Sequence, residues 1–186
     1  NNANENTAVG QGSMFYNTTG YQNTALGTGS LFNNLTAFQN TALGGYALFS
    51  NNYGPYNTAL GYKAMYMNTV GERNYGGGYQ ALYSNTTGNY NSSSGFQSLW
   101  SNTTGNYNTA HGGEALYSNI SGGFNTGSGY QALFYNTTGS SNSAYGSYAL
   151  KYNTASGNSA FGYNALLNTN SGWGNTAVGN ASLYSN

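Results

Sequence analysis

The 186-residue chain has no cysteine and no aspartate, and its three glutamates (Glu5, Glu72 and Glu114) balance three basic residues (Lys63, Arg73 and Lys151). Each absence removes a class of function. Without cysteine there is no disulfide framework and no thiolate metal centre, although the compartment stays open. Without aspartate the acidic turns of a calcium-binding solenoid cannot be built. With 3% charged residues and a net charge of zero, no basic patch exists to neutralise phosphates, so neither a nucleic-acid partner nor an electrostatic membrane anchor is expected. No run of eighteen apolar residues occurs, and the opening NNANENTAVG is neither basic nor apolar. The stretch therefore holds no transmembrane span or signal peptide, and no membrane insertion is expected.

What the chain has instead is one phrase, repeated. Asn-(Thr/Ser/Tyr)-(Ala/Gly/Ser)-x-Gly begins at Asn6, Asn23, Asn40, Asn57, Asn74, Asn91, Asn108, Asn125, Asn142, Asn158 and Asn175, every 17 residues except for the 16 between Asn142 and Asn158. The consensus unit is N-T-A-L-G-Y-Q-A-L-Y-S-N-T-T-G-N-Y, and residues 1–186 form a single array of it. Comparison of the copies shows which positions the fold dictates. Position 1 is Asn and position 5 is Gly in all eleven. Position 8 is Ala or Ser, and position 9 is always Leu or Met: Met14, Leu31, Leu48, Met65, Leu82, Leu99, Leu116, Leu133, Leu150, Leu166 and Leu183. Position 10 is aromatic in nine copies and position 12 is Asn in ten, whereas position 4 takes seven different residues. Such a variable position is expected to face outward.

A helical unit is excluded by its content. Two glycines per repeat would each cost about 1 kcal/mol in a helix interior, and helical solenoids use longer units with a 3.6 period. Small, β-branched and aromatic residues punctuated by Gly predict an all-β fold, a β-solenoid of about eleven 17-residue coils. Strands are expected near positions 2–4 and 8–10, with a third at 13–14 and turns at the Gly and Asn positions. Identical residues then stack. The position-1 asparagines form either a ladder, each amide donating to the next coil, or a set of left-handed turn residues. The position-9 residues form the core row. One coil offers a Leu, one or two Ala and an aromatic, too little apolar material to offset the ordering of its backbone. Stacking of many coils and wrapping of several chains about one axis would both make up the shortfall. Eleven coils at about 4.8 Å span roughly 50 Å.

The array starts partway through a unit and stops after position 12, with no capping unit at either end, so a segment of a longer fibre is expected. The NTALG unit at 57–61 and NTAVG at 6–10 and 175–179 resemble the low-complexity repeats of bacteriophage tail fibres and large bacterial surface proteins. More loosely, they resemble the Asn-Ser-Val-Ala-Ile-Gly head repeats of trimeric autotransporter adhesins, a resemblance that implies a trimeric left-handed β-roll serving as an adhesive stalk or head. This chain departs from the adhesin pattern in carrying mostly Ala at position 3 and a variable residue at position 4.

Residues with chemical potential are few. His111 and Glu114 lie three apart, both at variable repeat positions, without a nucleophile, second carboxylate or metal-ligand cluster. Gly76–Gly77–Gly78 has no following Gly-Lys-Ser/Thr, and glycines of this kind fall largely at repeat turn positions, so no phosphate loop is expected. No catalytic, cofactor or metal site is expected, and the chain reads as non-enzymatic. Eight Asn-x-Ser/Thr sequons begin at Asn17, Asn34, Asn85, Asn91, Asn102, Asn119, Asn136 and Asn180. The 32 asparagines and 29 glycines never form an Asn-Gly pair, although about five are expected by chance. Absence of that deamidation-prone pair suits a long-lived external structure. The sequence therefore predicts a structural fibre, extracellular, on a cell surface or on a virion, that gives reach and surface attachment. Its partners would be copies of itself, as a trimer or polymer, and a surface glycan or other receptor. Two alternatives stay open: a self-assembling filament subunit without receptor binding, and an ice-binding solenoid presenting its Thr rows.

Overall fold

The computed structural model describes residues 5–185. Residues 1–4 and 186, and with them the chain ends on which the expectation of missing caps rests, lie outside the described residues. The fold is a parallel β-solenoid of 17-residue coils. Each coil contributes one three-residue strand at positions 2–4: β1 (Thr7–Val9), β2 (Thr24–Leu26), β3 (Thr41–Leu43), β4 (Thr58–Leu60), β5 (Tyr75–Gly77), β6 (Ser92–Ser94), β7 (Thr109–His111), β8 (Thr126–Ser128), β9 (Ser143–Tyr145), β10 (Ser159–Phe161) and β11 (Thr176–Val178). The strands pair in chain order within one parallel sheet. Register is like on like, Thr7 on Thr24 on Thr41. The described residues include no helix, and so none long and apolar enough to cross a membrane.

The strands expected at positions 8–10 and 13–14 do not form, for a reason visible in the backbone. Positions 7 and 9 adopt positive φ in every coil, as at Gln80 (52°), Leu82 (52°), Gln97 (49°) and Leu99 (51°). Alternating left-handed residues turn successive amides in opposite directions. The Gln97 N–H donates back to Tyr79 of the preceding coil, and the Leu99 N–H donates forward to Ala115 of the next, both at 2.9 Å. Coil-to-coil hydrogen bonding thus continues well beyond the strand without extended backbone. Within the coil, the Ala81 N–H closes a turn onto Gly78 and the Asn85 N–H closes one onto Leu82.

A left-handed leucine is uncommon and is held only where surroundings over-determine it. Burial supplies that constraint: every position-9 residue from Leu31 to Leu166 is fully buried. Met14 is 9% exposed, and Leu183 of the last coil is 46% exposed, having no described coil beyond it. The core row packs against the small residues of position 3. A Cβ on Gly76 would stand 2.8 Å from the Met65 Cγ, so in that pair the longer thioether lies where alanine carries its methyl in most coils. In coil 6 serines replace the usual alanines at positions 3 and 8, and the Ser93 hydroxyl donates to the Ser98 carbonyl at 2.8 Å. The 16-residue coil loses its residue from the corner after Asn153, and Ser143 still pairs with Ser159 in unshifted register.

Candidate functional site

Two asparagine columns line the inside of the coil. In the position-1 row, the side-chain oxygen of each Asn accepts the backbone N–H of the next: Asn6 from Asn23, Asn23 from Asn40, and onward to Asn158 from Asn175, at 2.8 to 3.0 Å. Direct amide-to-amide donation joins this row only in part, from Asn74 to Asn142 and between Asn158 and Asn175, at 3.1 to 3.2 Å. None of the eleven has a positive φ. The left-handed role belongs instead to positions 7, 9 and 17, where glutamines, leucines and tyrosines take it.

The continuous amide ladder is the position-12 column. The Nδ2 of each Asn donates to the Oδ1 of its predecessor from Asn17 to Asn153, eight bonds of 2.7 to 3.4 Å. The same Nδ2 donates to the position-15 carbonyl of its own coil, where the position-1 Nδ2 also converges; Gly105 accepts from Asn91 at 2.8 Å and from Asn102 at 3.0 Å. This convergence explains the glycine at position 15. A Cβ on Gly105 would stand 2.4 Å from both the Asn102 Oδ1 and the Gly122 carbonyl. The sequence marks this column by ten asparagines in eleven copies, with Asn85 and Asn102 in register, but the ladder itself is expected at position 1. Asn40 departs from the pattern: its Nδ2 is buried without a partner, since the Gly54 carbonyl is taken by Asn51 and Asn57.

The sequons sit largely inside these columns. Asn34, Asn85, Asn91, Asn102, Asn119 and Asn136 are buried with their amides engaged, so a glycosylating enzyme has no access to them in the folded array. Asn17 is half-buried in the same column, and Asn180 is exposed.

The exterior carries aromatic columns. At position 10, Phe15, Phe32, Phe49, Tyr66, Tyr83, Trp100, Tyr117 and Phe134 form one unbroken stack with ring centroids 5.0 to 5.6 Å apart and planes within 9°. Shorter stacks run beside it, Tyr62–Tyr79–Phe96 at position 6 and Tyr90–Tyr107–Phe124 at position 17. Rings stacked along the axis present their edges outward. Their faces become available only where a column is interrupted.

The aromatic face opens into two hollows. The first, about 390 Å³, is walled by Phe15, Phe32, Phe49 and Tyr46, and it exists because position 7 is Gly12 and Gly29 in the first two coils. The second, about 280 Å³, lies past the end of the long stack, where Lys151 replaces the ring at position 10 and Tyr148, Tyr152 and Tyr163 surround it. The remaining charges are distributed outside. His111 is exposed on β7, while Glu114 sits at position 7 and accepts from Gln131 of the next coil at 2.5 Å. The Glu114 carboxylate beside Tyr130 pushes that phenol above its ordinary range. No group of three metal-ligating side chains occurs among the described residues.

No family model, curated protein or solved structure matches the chain. A functional reading therefore rests on the geometry of the columns and hollows.

Proposed function

We infer that the chain is a structural fibre segment whose work is mechanical reach with surface attachment, performed outside the cell or on a virion by several chains together. One observation carries this reading. Each coil is joined to the next by hydrogen bonds around most of its circumference and by same-residue columns inside and out, so the molecule is built to extend along one axis. At about 4.8 Å per coil the described array is a rod of roughly 50 Å, and each added repeat lengthens it without a new design. The exterior supports association: large aromatic and aliphatic side chains stand in exposed rows at positions 4, 6 and 17, beside the half-buried rings of position 10, more than a solitary chain needs to leave uncovered.

Electron microscopy combined with light scattering of the purified chain tests the reading. Rods of three chains support the fibre. End-to-end strings of single chains favour the filament alternative, and a monodisperse single chain at high concentration overturns both. The ice-binding alternative draws on the Thr rows of the sheet face, but Tyr75 interrupts them and bulky Leu26, Tyr145 and Phe161 project beside them. Absence of thermal hysteresis from the concentrated array would remove it.

A further inference from the structure

The two hollows of the aromatic face differ in charge. The one beside Phe15, Phe32 and Phe49 has no ionisable lining residue other than Tyr46. The other is built around an ammonium. The Lys151 Nζ stands 5.0 Å from the Tyr148 ring centroid, 5.3 Å from that of Tyr152 and 6.0 Å from that of Phe134, the last ring of the long stack. Tyr163 and Asn164 of the next coil line the same hollow, adding a phenol and an amide.

All three cations of the chain lie over aromatic rings, but they differ in their counter-charge. Arg73 is sandwiched between Tyr56 and Tyr90 and meets Glu72 at 2.7 Å, so its site is already neutral. Lys63 lies over Tyr62 and Tyr66 and lines neither hollow. Lys151 lines a shallow hollow and has no carboxylate partner among the described residues.

We propose that the Lys151 hollow binds a carboxylated pyranose, the acidic sugar unit of an anionic surface glycan. The chemistry of the lining selects this class. A single ammonium matches a single carboxylate, whereas phosphate recognition favours guanidinium forks or clustered backbone N–H groups. Tyr152 stacks on Tyr135 of the coil before, and Asn168 replaces a ring in the coil after, so the far side of Tyr152 can meet the C–H face of a sugar ring, while the phenols and the Asn164 amide offer partners to its hydroxyls. The volume lies just below the usual span for drug-sized ligands, room for one sugar ring of a longer chain. Weak single sites suffice, because a fibre of several chains would present several copies at once. The proposal rests on the attachment reading and names the receptor class for it.

The test is a calorimetric or NMR titration of the whole chain with trigalacturonate and with sialyllactose, using the methyl ester of trigalacturonate as the uncharged control. Saturable binding of one or both acids, with a Kd of about 1 mM or tighter, is expected, with none for the ester. The acid that binds identifies the glycan source. Lys151→Met should weaken binding at least tenfold and Tyr163→Ala several-fold, with unchanged circular dichroism, while Lys151→Arg retains binding and Lys63→Met has no effect. No saturable binding of either acid overturns the proposal. So does an unaffected Lys151→Met, or an equal loss on Lys63→Met, which would mean diffuse charge attraction. Rods that fail to bind either acid remove this site and leave the fibre reading standing; a single compact chain that binds does the reverse.

Discussion

The inside and the outside of the coil follow different rules. Inside, position 12 repeats one residue almost without exception, because each Asn amide must satisfy the coil before it and the turn of its own coil together. Outside, position 10 varies among Phe, Tyr and Trp, because a stacked ring needs only a neighbour of similar shape, and where Lys151 and Leu167 take the place the stack ends and the coils still pair. A gap in a buried polar column is costly, since a missing partner leaves another group unsatisfied without water, as at the Asn40 Nδ2. Exposed columns lose only their own contact.

The strongest challenge to the interior is Gly95→Ala. Gly95 has φ of 144° and an added Cβ would stand 2.4 Å from the Gly112 carbonyl, a backbone atom that cannot rotate away. A loss of about 3 kcal/mol or more is expected, read as a lowered denaturation midpoint and as hydrogen-exchange protection lost first in coils 6 and 7. Leu99→Ala comes next, at about 2 to 5 kcal/mol, because a fully buried side chain leaves a void within a thin core. Asn102→Ala should cost about 1 to 3 kcal/mol by leaving the Asn119 amide and the Asn85 oxygen short of a partner.

On the exterior the same measurement should respond far less. Tyr117→Ala removes one ring from the stack, a loss of about 0.5 to 1.5 kcal/mol beyond its area. Trp100→Phe should be neutral or slightly stabilising, since it keeps the stack and removes a buried indole N–H that has no partner. An outer-face loss as large as that of Leu99→Ala would break the distinction between the two surfaces.

Alkaline titration probes the exterior alone. Lys63 is held above its ordinary 10.5, chiefly by the charge on the Tyr62 phenolate, and Tyr130 above its ordinary 10.0, chiefly by Glu114. The folded value of Tyr130 is raised by a carboxylate already ionised at neutral pH, so the stability it contributes is complete below the unfolded value and is lost as pH climbs through the folded one. The melting temperature should stay flat through neutral pH and fall only from about pH 10 upward. Glu114→Gln should return the Tyr130 absorbance titration toward the ordinary range and shallow that fall.

Much of the fold was legible in residue order. The 17-residue period, the all-β class, the buried Leu/Met row and the outward position 4 follow from a unit that repeats Asn, Gly and a Leu or Met at fixed places. The strand count was not legible. Ala-Leu-Tyr at positions 8–10 has the composition of a strand, and nothing local shows that Leu82 or Leu99 will be left-handed, a conformation imposed by coils above and below. The asparagine roles were partly exchanged for the same reason. Positions 1 and 12 look alike in sequence, and only the position-15 carbonyl, on which both amides converge, separates their tasks. Lys151 was visible as a departure from the aromatic rule, flanked by Tyr148 and Tyr152. Its place at the mouth of a hollow depended on where Tyr163 and Asn164 came to lie one coil later.

Sequence by itself determined the unit, its period and which of its positions cannot vary, because a solenoid writes its vertical contacts into equal spacings along one chain. Tertiary structure decided the path of the backbone between those positions, the direction of each amide and the places where an aromatic column ends in open space. Those depend on what the neighbouring coil offers, and a residue meets its neighbour only after the chain has turned once around the axis.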